Sequence, residues 1–147
     1  MVKNLRELMP GFIHRWCVWS LLFFLMTGAI ADQQADQLIG RWLFPSRGSS
    51  VDIYRRGSFY FARVAEVDKA GEANFGLVKD TLLIRNLRYN GQVWSGGQLT
   101  HPKTGISLSV EIHMLEPHAI SVTVYKGIKL FHRKFIMTRQ ETTSVRG

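Results

Sequence analysis

From residue 39 onward the apolar residues of this chain recur with a period of two, and that alternation restricts the fold more than any other feature. Between Gly105 and Met114, Ile106, Leu108, Val110, Ile112 and Met114 share one parity, while Ser107, Ser109, Glu111 and His113 share the other. His118 to Tyr125 repeats the arrangement, with Ile120, Val122 and Val124 set against Ser121 and Thr123. Successive side chains of a strand point to opposite faces, so this pattern puts one face on a core and the other in water.

Turn chemistry divides the pattern into segments. Asn90-Gly91 is a hairpin signal, because both residues tolerate positive φ. His101-Pro102-Lys103-Thr104-Gly105 is a longer turn, with proline presetting φ and glycine closing it. Leu115-Glu116-Pro117, Lys126-Gly127 and Arg56-Gly57 mark further breaks. The spacing predicts strands over 39–44, 49–55, 58–66, 81–88, 92–100, 105–114, 118–125 and 129–139, each boundary good to ~2–4 residues. Successive strands on short turns predict a small antiparallel up-and-down β-barrel of about eight strands, and closure removes exposed edges. A two-layer sandwich satisfies the same periodicity. Val67 to Asp80 is the long connection, either a lid over a barrel mouth or a mobile loop. Residues 32–38 are expected to add a turn of helix.

The N-terminus has a different composition. Trp16 to Ile30 is uncharged and mostly apolar, and Lys3, Arg6, His14 and Arg15 precede it. Ala29-Ile30-Ala31 follows as a small-x-small site before the polar Asp32-Gln33-Gln34. A basic flank, a short apolar core and a small-residue ending are the parts of an export signal. The run falls short of the roughly 20 apolar residues a membrane-spanning helix needs. An uncut segment would act as an anchor instead, with the positive flank leaving the C-terminal part on the outer side. The expected organisation is a signal peptide over residues 1–31, a β-barrel over 32–139 and a disordered tail over 140–147. That organisation implies a periplasmic or secreted protein with no stable transmembrane segment after cleavage.

Cleavage would remove Cys17, the single cysteine, and leave neither a disulfide nor a thiol nucleophile. The chain carries a formal charge of +8. Loss of Lys3, Arg6, Arg15 and Glu7 leaves the remainder basic, so anionic envelope components are compatible partners and a solvated basic surface is the plainer alternative. The basic residues are scattered, and export separates the protein from cellular nucleic acid, so no nucleic-acid role is expected.

Gly40-Arg41-Trp42 opens the first expected strand. A glycine two residues before a tryptophan, at the start of an eight-stranded β domain, resembles the G-x-W signature of lipocalin-like (calycin) barrels. That resemblance implies a tryptophan plugging the closed end under an arginine from the last strand, for which Arg133 and Arg139 are the candidates. Trp94-Ser95-Gly96-Gly97-Gln98-Leu99-Thr100-His101-Pro102-Lys103-Thr104-Gly105 resembles the W-x-G-G-x-I-x-D-P-x-[ST]-G core of a bacterial family of exported domains of unknown function. Leu38-Ile39-Gly40-Arg41-Trp42 and the stretch from Val124 to Arg139, with Gly127 and Leu130-Phe131-His132-Arg133, resemble that family's opening and closing motifs. Gly40, Trp42, Gly96, Gly97, Pro102, Gly105 and Arg133 are therefore the expected structural signature. This chain departs from the pattern at His101, in place of the aspartate before proline, and at Asn86, His132 and Met137. Independently of any family, Gly96-Gly97 reads as a strand kink or bulge.

Chemistry-bearing patterns are sparse. His101, His113, His118 and His132 lack helical metal-site spacing and have no cysteine to join them, so no metal or cofactor is expected. No nucleophile elbow, phosphate loop or carboxylate pair is present, so no catalytic residues are assigned and enzymatic activity is not expected. Two functions fit. In the first, the barrel mouth holds a small apolar or amphipathic ligand, with Phe59, Phe61, Leu83, Leu87, Trp94 and Phe131 as lining and Arg63 or Arg85 opposite an acid group. In the second, side chains fill the barrel, which becomes a scaffold for a basic docking surface facing the envelope.

Overall fold

The structure is a computed structural model that describes residues 29–130 and 132–141. The expected export segment as far as residue 28, Phe131, and the tail from residue 142 lie outside the described residues. Two compact units divide at residue 35. In the first, residues 29–35 are helical. Among the described residues no helix is long and apolar enough to cross a membrane.

The second unit begins with a 3-10 turn, Asp36–Leu38, and continues as eight strands: β1 (Gly40–Leu43), β2 (Ser50–Arg56), β3 (Phe59–Glu66), β4 (Leu82–Tyr89), β5 (Trp94–Thr100), β6 (Ser107–Glu116), β7 (Ala119–Tyr125) and β8 (His132–Arg139). A short helix, α1 (Lys69–Phe75), lies between β3 and β4. Each strand pairs antiparallel with the next, and β8 returns to β1 through Trp42↔Arg139 and Leu43↔Thr138. The sheet is therefore a closed up-and-down barrel and not a sandwich, and among the described residues each strand pairs with a neighbour on both sides.

This connectivity sorts the loops into two ends. The 3-10 turn and the hairpins after β2, β4 and β6 stand at one end. The β1–β2 loop, the α1 segment and the hairpins after β5 and β7 stand at the other. The first end is closed by side chains. Trp42 is fully buried and its indole Nε1 donates to the Leu38 carbonyl at 2.9 Å, which ties the plug to the 3-10 turn beneath it. The Tyr60 hydroxyl donates to Asp36 at 2.7 Å, and Arg55 pairs with the same carboxylate at 2.9 Å. Leu87, Trp94, Ile112 and Ile120 complete a solid half of the core.

The arginine over Trp42 is Arg139, with its guanidinium carbon 4.3 Å from the ring centroid, and not Arg133. Both lie on the inward parity of β8, six residues apart, so that Arg139 stands at the closed end and Arg133 at the open end. Gly40 has φ +146°, and a Cβ there would lie 2.4 Å from Arg139 Nη1. The glycine of the G-x-W motif thus supplies a backbone conformation that other side chains rarely adopt, beside the arginine that crosses the tryptophan.

Two irregularities keep the inward rows in phase. Gly96 takes φ +73° where the β5–β6 register shifts between Trp94 and Gly97, so both of these point inward across an extra residue. In β4, Asn86 takes φ +62°, a conformation asparagine tolerates better than most residues. Leu83 and Ile84 on one side of it, and Leu87 on the other, are all buried.

Candidate functional site: a cavity at the open end

Opposite the Trp42 plug the barrel is not filled. A cavity of about 340 Å³ opens there, within the range of small-ligand sites though at its lower end. Val51, Leu83, Ile84, Leu99, Leu108, Val122, Val124, Phe135 and Met137 form its walls, most of them turned inward by strand alternation. From β4 come two consecutive residues, Leu83 and Ile84, where its register against β3 shifts. The filled-barrel expectation therefore describes the closed half only.

The long connection between β3 and β4 is the roof. Phe75 at the end of α1 and Leu77 just after it both line the cavity. Phe75 stacks on Phe44 of the β1–β2 loop at 6.1 Å and meets Phe135 of β8 edge-on at 6.0 Å. Both ends of the helix are tied to neighbouring loops. Asp68 is the N-cap, accepting from Gly71 N–H at 2.8 Å and from the Ser49 hydroxyl at 2.6 Å. These bonds, the Ser49 hydroxyl first, hold the Asp68 carboxyl below its usual range. At the other end the Lys103 ammonium donates to the Ala73 carbonyl.

Two polar side chains reach this otherwise apolar space. Arg133, at the start of β8, lines the mouth, and its guanidinium has no ion-pair partner among the described residues. His101, at the end of β5, accepts the Lys103 backbone N–H at Nδ1 over 3.2 Å. That bond leaves the ring proton on Nε2 and makes the turn closure that an aspartate oxygen makes in an Asx turn. Histidine serves here because the position asks for an acceptor two residues before the amide it caps. Pro102 also touches the cavity, and Gly105, with φ +69°, ends the same loop.

Of the eight residues expected around a ligand, Leu83 lines the cavity, Phe131 lies outside the described residues and the other six lie elsewhere. Phe59, Phe61 and Arg63 lie on the outer parity of β3, opposite the buried Tyr60, Ala62 and Val64. There Phe61 stacks on Tyr54 at 5.6 Å, with Arg63 over the same tyrosine, and Arg88 covers Phe59. Arg85 is exposed on the outer face of β4. Trp94 points inward but belongs to the closed half, packed on Tyr89 at 4.6 Å. Leu87, also expected in the lining, is buried away from the cavity, and Phe131 lies outside the described residues. Phe44, Phe75, Leu77, His101 and Arg133, not expected as lining, do line the cavity. Four of these five lie in or beside loops, where periodicity carries no information.

Among the described residues no group of three or more His, Cys, Asp or Glu side chains converges to hold a metal ion. His113 pairs with Glu111 on its own strand at 2.6 Å, and His118 with Glu116 at 3.0 Å, so these histidines are engaged on the outside of the barrel.

An eight-stranded closed up-and-down barrel of this kind is a lipocalin-like fold. A solved structure described as protein HP1028 from the human pathogen Helicobacter pylori, belonging to the lipocalin family, superposes with a TM-score of 0.56 at 16% identity. The match covers 74% of this chain and 86% of that one. Residues 40–139 match the family described as an uncharacterized protein conserved in bacteria (DUF2147), and the chain belongs to that family. A search of the curated proteins finds no match.

Proposed function

We propose that this protein is an exported, non-enzymatic binding module that holds one small amphipathic acid in the open half of its barrel. The observation that carries the reading is the cavity itself: about 340 Å³ of apolar space with the unpaired Arg133 guanidinium at its rim. Apolar walls favour a hydrocarbon or ring, and burying it is worth about 25 cal/mol per Å² removed from water. A cation at the mouth favours a negative head group that remains partly hydrated. His101 Nε2 supplies a second donor on the same side. The lipocalin-like fold supports a binding role by analogy, and the basic flank and A-x-A ending of the N-terminus support export.

The test is native mass spectrometry of the protein isolated from the cell envelope without detergent, followed by thermal shift with medium-chain carboxylic acids. A co-purifying small anion that leaves on denaturation, and a melting temperature that climbs with acid concentration, are the expected results. A ligand-free mass with no thermal response to any acid in the series would exclude the reading.

A further inference from the structure

The open end carries an unusual share of exposed apolar side chains. Val78 is 58% exposed after α1, Ile106 43% in the β5–β6 hairpin, and Ile128 62% and Leu130 76% in the β7–β8 hairpin. At the closed end of the barrel only Ile39 and Leu115 are comparable among the described residues. Water-exposed isoleucine and leucine side chains in successive loops around one opening, two of them flanking a lysine, cost solubility without adding to the core.

In the same three connections Lys69, Lys79, Lys103, Lys126 and Lys129 outnumber Asp68, Glu72 and Asp80, and Lys79 pairs with Glu66 at 3.7 Å. Lys129 pairs with Glu111, and Lys103 is spent on the Ala73 carbonyl. Lys126 is exposed with no partner among the described residues, and Arg133 adds a second unpaired cation just inside the rim. The Lys126-Gly127-Ile128-Lys129-Leu130 stretch thus alternates cations with apolar side chains at the tip of a hairpin.

We infer that the open end of the barrel docks on an anionic phospholipid surface, with Ile128, Leu130, Ile106 and Val78 entering the interface and Lys126 facing the lipid phosphates. A protein partner would be expected to present a concave acidic groove to such a projecting hairpin. A bilayer accepts separate apolar tips from several loops at once and supplies negative charge without a fixed geometry. Docking in this orientation would place the cavity mouth against the lipid, so that a ligand could pass between the two without entering bulk water. The docking inference does not depend on any ligand being present.

The experiment uses the full chain with Cys17→Ser and a single new cysteine at Ile128 or at Leu115, each labelled with an environment-sensitive fluorophore. Both positions are exposed, at opposite ends, so neither label disturbs the core. Vesicles of phosphatidylcholine with phosphatidylglycerol, carrying spin-labelled lipid as quencher, report which end touches the bilayer, even if the N-terminal segment also inserts. The expected result is quenching at position 128 and none at 115, weakened by salt and absent from pure phosphatidylcholine. Lys126→Gln should lower the docked-to-undocked ratio about fivefold. Equal quenching at both positions, no quenching at 128, or quenching that ignores lipid charge would each overturn the inference. None of these outcomes reads ligand binding, so they leave the cavity proposal to its own test.

Discussion

Arg139 lies across the ring of Trp42 at 4.3 Å and, from that position, donates to three backbone carbonyls: Ile39 at 2.8 Å, Gln37 at 2.5 Å and Pro117 at 3.0 Å. One guanidinium therefore joins the last strand to the segment before β1 and to the β6–β7 hairpin. Burial lowers its pKa without bringing it near neutrality, so the charge persists at any physiological pH. Removing it as Arg139→Gln should destabilise the barrel by about 2–4 kcal/mol, from the lost cation–π contact and the carbonyls left without a donor. Arg139→Lys should recover less than half, since a single ammonium cannot reach three carbonyls in one plane. Urea unfolding midpoints check both.

Trp42 should be the more costly residue of the pair. It is fully buried and its indole N–H is satisfied by Leu38, so Trp42→Ala leaves a cavity at the plugged end and an unpaired carbonyl. The expected loss is about 3–5 kcal/mol by equilibrium unfolding. A loss within the usual surface range of about 0.5 kcal/mol would show that Trp42 does not close the barrel.

Tyr60 gives a pH signature of the same end. Burial first, and then its hydrogen bond to Asp36, push its hydroxyl up to about 12. The folded state thus favours the protonated phenol more than the unfolded state does, whose tyrosines titrate near 10. The contribution is fully present below about pH 10 and is lost as pH rises toward about 12. Over that interval wild type should lose about 2–3 kcal/mol more than Tyr60→Phe, which has no proton to release. Parallel pH dependences in the two proteins would mean that Tyr60 is in contact with water.

The roof helix should respond at the acidic end of the scale. Asp68 has its carboxyl held low by the Ser49 hydroxyl and the Gly71 amide, so its contribution is complete above its unfolded value and lost as pH falls through the lower folded one. Asp68→Ala should speed amide hydrogen exchange at Gly71 and Glu72 at neutral pH, with exchange in the β6–β7 ladder unchanged. Exchange that rises equally in both regions would show that α1 is part of the global unfolding unit and not a separable roof.

What the sequence made legible follows the physics of each segment. The eight strands could be read because Ile106 to Met114 and Ile120 to Val124 alternate without interruption and the turns between them contain Asn90-Gly91, Pro102 and Gly127. The lining could not be read from residue type alone. In Phe59-Tyr60-Phe61-Ala62-Arg63-Val64 both parities carry aromatics, and the charge on Arg63 is what marks its row, with Phe59 and Phe61, as the outer one. Grouping Arg63 with the aromatics as a binding set overlooked that. In β8 the parity of Phe135 and Met137 carries Arg133 and Arg139 inward at opposite ends, a pairing that only closure of the barrel onto β1 distinguishes. Phe75 and Leu77 reach the cavity through tertiary contacts of α1, and no local pattern in a fourteen-residue polar connection announces that.

Arg133 separates the head-group role from the apolar one within the cavity. Arg133→Gln should weaken binding of a medium-chain carboxylic acid about five- to tenfold, a modest loss for a charge-assisted bond because the guanidinium stays partly in water. The corresponding uncharged alcohol should bind wild type and variant alike. Leu83→Trp acts differently: it places an indole in the cavity between β4 and the roof, and should abolish binding of acid and alcohol together. Displacement of an environment-sensitive fluorescent probe measures all four combinations. Equal weakening of acid and alcohol by Arg133→Gln would mean that the side chain only shapes the mouth, whereas binding that survives Leu83→Trp would place the ligand outside the barrel altogether.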